Sequence, residues 1–310
     1  MKRTLITPLA WIVLVCVQAQ PKQMCITIDD LPVVSYTKTD LEFLSEVTEA
    51  LVATFDAFKI PAIGYVNESK LYHNGQLDPG RVKLLELWLQ NGYELGNHTY
   101  AHKNYHRVSF SEYAEDIIKG EQVTKPLVQE YDMEYQFFRH PYLRIGSTKA
   151  HHDSLKQFLD KKGYKEAPVT IDNEDYLFAK AYHLAYMEND TSTVKKIAGT
   201  YLTYMEEKLL YYEDMAERLL GRSMKQTLLL HANLLNAHYL DDLARMYQSH
   251  GYVFISQGEV LKDDAYDKPI TKYGDWGISW LDRWALSQGK KGEFFKGDPV
   301  TPGFVREMAK

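Results

Sequence analysis

The chain has 310 residues, 45% hydrophobic, 13% aromatic and 25% charged, an ordinary globular composition with ample core for one large domain or two smaller ones. Its 42 acidic and 36 basic side chains leave a formal charge of −6 with no strong basic run, which argues against nucleic acid as a partner. The two cysteines, Cys16 and Cys25, cannot build a cysteine zinc site, so any metal must be held by histidines and carboxylates.

Residues 1–19 read as a secretory signal. Lys2 and Arg3 give a positive start, an apolar stretch from Leu5 to Val17 follows, and Val17-Gln18-Ala19 offers a cleavage site after Ala19. The stretch is short for a transmembrane helix, and Val15 is larger than lipoprotein processing at Cys16 normally accepts. The expectation is an exported chain, periplasmic or secreted, whose mature part from 20 to 310 is one domain without a stable membrane span. Cleavage leaves Cys25 alone, so no internal disulfide can form.

Met24-Cys25-Ile26-Thr27-Ile28 predicts a buried first strand ending at Asp29-Asp30-Leu31-Pro32. Two adjacent carboxylates there can do two jobs, one binding a cation while the other faces water or substrate. A helix from about 40 follows, with Leu41, Leu44, Val47, Leu51, Phe55 and Phe58 on one face. A second strand covers 62–66. Asp78-Pro79 starts a helix that stops at Asn91-Gly92, and a third strand at 93–97 leads to His98-Thr99-Tyr100-Ala101-His102. Ser109 and Glu112 form a capping box for a helix to about 128. The fourth strand, 135–138, ends at Arg139-His140-Pro141-Tyr142. A helix at 149–162 stops at Gly163, and a fifth strand at 167–171 ends at Asp172-Asn173-Glu174-Asp175-Tyr176. A helical stretch at 177–220, rich in tyrosine, reads as packed helix rather than a sugar-binding stripe. The sixth strand, 227–230, ends at His231. A helix at 237–249, a seventh strand at 252–255 and a tail with Trp276, Trp280 and Trp284 at helical spacing complete the chain.

Strand and helix alternate about seven times, which demands a parallel sheet with helices outside it, and a short closed or distorted barrel fits better than an open doubly wound sheet. No GxGxxG or P-loop pattern supports a nucleotide cofactor. Asp29 and Asp30, His98 and His102, Arg139, Asp172 and Asp175, and His231 each fall at a strand's C-terminal end, and in a β/α barrel those ends meet on one face. His98 and His102 would share one side of a helical turn, and Asp30 completes a set of two histidines and one carboxylate with open positions for water and substrate. Arg139 could hold Asp29, and either Asp175 or Asp172 could pair with His231 and keep it protonated. His106, His151 and His152 read as surface or loop histidines.

These residues resemble the polysaccharide deacetylases, the NodB homology domain of carbohydrate esterase family four. Thr27-Ile28-Asp29-Asp30-Leu31-Pro32 is similar to that family's TFDDGP, His98 to His102 to H[ST]xxH, Arg139-His140-Pro141-Tyr142 to RxPY, Asp172 to Tyr176 to DxxDW, and Leu229-Leu230-His231 to LxH. The resemblance covers roughly 24–260 and implies a distorted (β/α)7-type barrel with a helical insertion between the fifth and sixth strands. It implies one divalent metal on Asp30, His98 and His102, with Asp29 as general base, His231 as general acid, Arg139 orienting the base, Asp175 tuning the acid and the Tyr142 N–H stabilising the oxyanion. Zinc suits such ligands, and cobalt or nickel would also bind. The implied activity is deacetylation, N-acetyl more than O-acetyl, of a polysaccharide or oligosaccharide such as peptidoglycan or a chitin-like chain. Leu31 stands where the family has glycine, adding bulk beside the metal, and Tyr176 where it has a groove tryptophan. With the long helical stretch, these departures keep two alternatives open, a carbohydrate-binding pseudoenzyme and a hydrolase of a small amide or ester.

Overall fold

The computed structural model describes residues 21–310, so the expected signal segment and Cys16 lie outside the described residues. The chain runs through β1 (Lys22–Leu31), α1 (Leu41–Phe58), β2 (Ile63–Val66), β3 (Tyr72–His73), β4 (Gln76–Leu77), α2 (Pro79–Gln90), β5 (Glu94–Asn97), α3 (Phe110–Lys119), α4 (Thr124–Glu130) and β6 (Phe137–Phe138). It continues through α5 (Lys149–Lys162), β7 (Lys165–Glu166), α6 (Asp175–Met187), α7 (Thr191–Leu220), β8 (Gln226–His231), α8 (Leu234–Ser249), β9 (Tyr252–Phe254), α9 (Gln257–Val260), α10 (Trp280–Ser287) and α11 (Gly303–Met308).

Seven strands form one parallel sheet in the order β7-β6-β5-β2-β1-β8, with β9 also on β1. Crossover helices oblige the strands to run parallel, and the sheet curls into a half-barrel. β1 is the axis: Met24 to Asp29 pair with β8, Lys22 to Met24 with β9, and its C-terminal half with β2. Buried on both faces, β1 has the near-continuous apolar run such a strand needs, and Met24, Cys25, Ile26 and Ile28 are all inaccessible. α1 lays Phe43, Leu44, Val47, Leu51 and Phe55 against the sheet; full burial of one such side chain contributes roughly 1.5–3 kcal/mol. The Asp40 side chain caps α1 by accepting from the Phe43 N–H at 3.1 Å, and Asp78 caps α2 in front of Pro79.

The fifth strand is the main departure. Only Lys165–Glu166 form a strand there, followed by a single bridge from Ile171 to Leu228. Pro168 removes a ladder donor, and the Val169 carbonyl accepts instead from the Trp280 N–H at 2.7 Å. The segment still spans the gap between β6 and β8, because the Ala167 N–H donates to the Phe138 carbonyl and the Thr170 N–H to the Thr227 carbonyl. The helix expected over 109–128 is broken at Gly120, where a Cβ would come within 2.6 Å of the Thr99 backbone. The helical stretch divides at Asn189-Asp190 into α6 and α7, and Tyr201, Tyr204 and Tyr212 of α7 are buried, as a packed helix requires. Trp280 and Trp284 are buried on α10, while Trp276 precedes it and is partly exposed. The structure adds a hairpin, β3 with β4, on Asn74-Gly75, both left-handed as a two-residue turn needs. Among the described residues no helix is long and apolar enough to cross a membrane.

Leu31 does not crowd the site. Its side chain is fully buried and lies over Gly64 of β2, where an added Cβ would meet Leu31 Cδ1 at 1.9 Å. The bulk is absorbed beneath the sheet by a glycine on the neighbouring strand.

Candidate active site

The C-terminal ends of the strands share one cleft of about 650 Å³, lined by Asp29, Asp30, His98, His102, Tyr142, Asp172, Tyr176 and His231 among others. Asp29 and Asp30 lie where the β1–β2 register shifts, between Ile28 and Leu31, and Asp30 is left-handed with φ 67°. This irregularity turns the two carboxylates to different tasks. Asp29 is almost inaccessible, and burial pushes its carboxyl up to about 6 against the pull of Arg139 and His231. Asp30 is half-buried. Burial would raise it too, but Lys70, His102, His231 and His98 together hold it well below the usual carboxylate range.

His98 and His102 do not share a helical turn. They meet through a loop with Thr99 (φ 67°) and His102 (φ 52°) left-handed, which brings their rings to 4.8 Å between centroids. Asn97 holds the first bend by accepting the Thr99 N–H at 2.7 Å, and the Asp116 carboxylate accepts the Ala101 N–H at 3.1 Å. His98 Nδ1 donates to the Arg139 carbonyl at 2.8 Å, which fixes the tautomer and leaves Nε2 as the free lone pair. The His98 and His102 Nε2 atoms lie 3.6 and 3.5 Å from Asp30 Oδ1. Burial lowers both imidazoles, keeping them neutral as ligation requires. Asp30 Oδ1 is itself buried without a hydrogen-bond partner, and the three ligand atoms lie within 4.8 Å of one another. An orphaned carboxylate oxygen facing two imidazole nitrogens fits a divalent cation.

Arg139 is fully buried, so its pairing is no surface salt bridge. Its Nη1 stands 3.7 Å from Asp29 Oδ2, Nη2 donates to Thr27 Oγ1 at 2.9 Å, and the guanidinium stacks over Tyr65 at 4.6 Å. Across the cleft, His231 ends β8 and Asp175 opens α6. His231 Nδ1 is 2.6 Å from Asp175 Oδ1, and the His231 N–H donates to Asp175 Oδ2 at 2.9 Å. Asn236 also donates to Oδ2, at 2.8 Å. Burial opposes the charged imidazole, but the charge and hydrogen bond of Asp175, with Asp30 and Asp29 behind them, push His231 up to about 9. Of the two carboxylates open to this partnership, Asp175 makes it. Asp172 lines the cleft instead, with burial, Asp282 and Asp298 outweighing Lys208 to raise it to about 7. Tyr142 and Tyr176 border the cleft with exposed rings, 54% and 46% accessible, the first packed on His102 and the second near His231.

Several contributors carry no motif. Lys70, in the turn after β2, donates to the Asp30 carbonyl at 2.7 Å and stands 3.7 Å from its carboxylate. Asn97 and Asn236 shape the loop and the acid pair. The His106 side chain is only 1% exposed and joins Asp275 to the Gly146 N–H, so it is neither a surface nor an idle residue. His151 and His152 lie on α5, partly exposed.

The polysaccharide deacetylase family model matches residues 17–166, a span that includes Asp29, Asp30, His98, His102, Arg139 and Tyr142. No curated protein sequence matches the chain. Among solved structures, the polysaccharide deacetylase Bc1974 from Bacillus cereus is similar in fold, with 15% identity, a TM-score of 0.51, and coverage of 76% of this chain and 91% of that one. The Bc1960 peptidoglycan N-acetylglucosamine deacetylase gives 17% identity and a TM-score of 0.50 over 78% of this chain and 88% of that one. A mutant of a CE4-family pseudoenzyme from Bacillus anthracis gives 13% identity and a TM-score of 0.52 over 79% of this chain and 69% of that one.

Proposed function

We propose that this chain, whose residues 17–166 match the polysaccharide deacetylase family model, is a metal-dependent hydrolase removing acetyl groups, N-acetyl before O-acetyl, from a polysaccharide or oligosaccharide outside the cytoplasm. Peptidoglycan and chitin-like chains are the substrates that suit an exported chain with this chemistry. The observation that carries the reading is the gathering, at one end of the sheet, of a cation-binding triad, a carboxylate held by a buried arginine and an imidazole–carboxylate pair around one open cleft.

Asp30, His98 and His102 would hold the ion, zinc by ligand type, which supplies Lewis acidity to an acyl carbonyl and lowers the pKa of a water. Asp29, backed by Arg139, is raised toward neutrality and takes the proton of the attacking water. The Tyr142 N–H at the cleft donates to the oxygen that becomes anionic. His231, kept protonated by Asp175, gives its proton to the leaving nitrogen as the C–N bond breaks, so acetate and a free amine result. An amine leaves poorly without that proton, which is why the pair favours amide over ester substrates. The exposed Tyr142 and Tyr176 rings give the cleft apolar faces on which sugar rings can lie.

The test is acetate release by metal-loaded protein across N-acetylated and O-acetylated glycans, with Asp29→Asn in parallel. Release that the substitution abolishes is expected. Full activity in Asp29→Asn would remove Asp29 as base, and glycan binding without any release would make the chain a carbohydrate-binding protein.

A further inference from the structure

The Tyr142 N–H belongs to a turn with an uncommon backbone. Tyr142 (φ 56°) and Leu143 (φ 52°) are both left-handed, and neither is a glycine. L-residues disfavour that region, so two in succession persist only where the surroundings impose them. The imposing groups come from the far end of the chain. Arg283 of α10, 1% exposed, donates through Nη2 to the Leu143 carbonyl at 2.7 Å and to the Trp276 carbonyl at 3.2 Å. Gly277 lies flat on the Tyr142 carbonyl: a Cβ there would stand 2.0 Å from that oxygen, so only glycine permits the approach.

The segment carrying Gly277 is clamped on both sides. Asp275 pairs with Arg144 at 3.1 Å, Arg107 at 3.0 Å and His106 Nδ1 at 2.9 Å. His106 Nε2 accepts from the Gly146 N–H at 3.0 Å, which ties the same clamp to the far side of the turn. At the other end the Trp280 N–H is held by the Val169 carbonyl. The strap therefore grips the two peptide units on the C-terminal side of Tyr142, next to the one that carries its N–H.

We propose that Gly277 and Arg283, with Asp275 anchoring them, are positioning residues that hold the Tyr142–Leu143 turn in the shape an oxyanion-donating N–H requires. All three lie outside the segment that matches the family model. The proposal rests on the deacetylase reading for its catalytic consequence, though not for the grip itself.

The test compares Gly277→Ala, Arg283→Met and Arg283→Lys with the parent. Three quantities are measured: kcat and KM for acetate release, zinc affinity by calorimetry, and amide hydrogen exchange of the peptide spanning 141–147. Losing an oxyanion donor costs about 10²–10³ in turnover, so Gly277→Ala is expected to lower kcat by about 10²-fold with KM within about twofold. Zinc affinity is expected to hold, exchange in 141–147 to accelerate while that of β1 does not, and Arg283→Lys to recover part of what Arg283→Met loses. Unchanged kcat and unchanged exchange in both Gly277→Ala and Arg283→Met overturn the proposal. So does a fall in zinc affinity matching the fall in kcat, which would place the effect in the metal loops. If the parent itself releases no acetate, the deacetylase reading falls, and exchange alone then decides whether the strap holds the turn.

Discussion

Asp175→Asn tests the acid pair most directly. Asp175 accepts both the His231 ring and its backbone N–H, and it is the largest influence raising an imidazole that burial alone would depress. Raising His231 from 6.5 to about 9 is worth on the order of 3 kcal/mol of preference for the charged ring. Asparagine keeps the shape and removes the charge, so burial then dominates and the ring should titrate below about 6.5. At pH 8 the protonated fraction of the metal-free protein would fall from about nine-tenths to a few per cent, roughly thirtyfold. The direct assay is an NMR titration of the His231 ring in metal-free protein, with the pH profile of acetate release beside it. The high-pH limb of turnover should move to lower pH in the variant. The stability contribution has a definite sign: with the folded pKa above the unfolded one, the pair's contribution is complete below about 6.5 and is lost as pH rises through about 9. Denaturant midpoints of parent and variant should therefore converge at alkaline pH. A variant ring that still titrates above pH 8 would refute the reasoning, because it would assign the raised value to something other than Asp175.

Two further outcomes follow from the same geometry. Asp30→Asn removes the charge from the orphaned ligand oxygen, and zinc affinity by calorimetry should fall by at least about 10²-fold while the fold, by circular dichroism, is kept. Gly64→Ala forces a Cβ to 1.9 Å from Leu31 Cδ1 and should cost about 1–3 kcal/mol, whereas Leu31→Ala opens the buried site at about 2–5 kcal/mol. The double variant should lose less than the sum of the two, measured by urea denaturation, because each change relieves the other.

Much of the fold was legible because its signals are local. Asp40, Asp78-Pro79 and Gly163 mark helix ends by satisfying or terminating backbone hydrogen bonds within a turn, and the structure places α1, α2 and α5 at those signals. Asn74-Gly75 was an equally local signal for the β3–β4 hairpin and can be read directly from the residue pair. What could not be read depends on residues distant in sequence. Ala167 to Ile171 has strand composition, but Pro168 and the capture of the Val169 carbonyl by Trp280 leave it with one bridge. Gly120 interrupts a well-capped helix because the Thr99 backbone lies against it.

The same division runs through the site, and it explains why residue types were visible where angles were not. The proposed hydrolysis draws on carboxylates, imidazoles and a guanidinium, and their recurrence at strand ends shows in the letters alone. Their orientation depends on strained backbone. Of nine non-glycine residues with left-handed φ among those described, five are Asp30, Thr99, His102, Tyr142 and Leu143. The other four, Lys59, Asn74, Asp132 and Asn189, lie at helix ends and turns, where such a conformation is ordinary. A β-branched threonine and an adjacent Tyr–Leu pair in that region need outside support. Lys70 supplies it to the Asp30 carbonyl, Asn97 to the Thr99 N–H, and Gly277 with Arg283 to the Tyr142–Leu143 turn. None of these supporters belongs to a spacing pattern, because each is chosen by the position of a backbone carbonyl or amide that exists only after folding. A chain carrying every motif residue but lacking these supports would hold the right groups at the wrong angles.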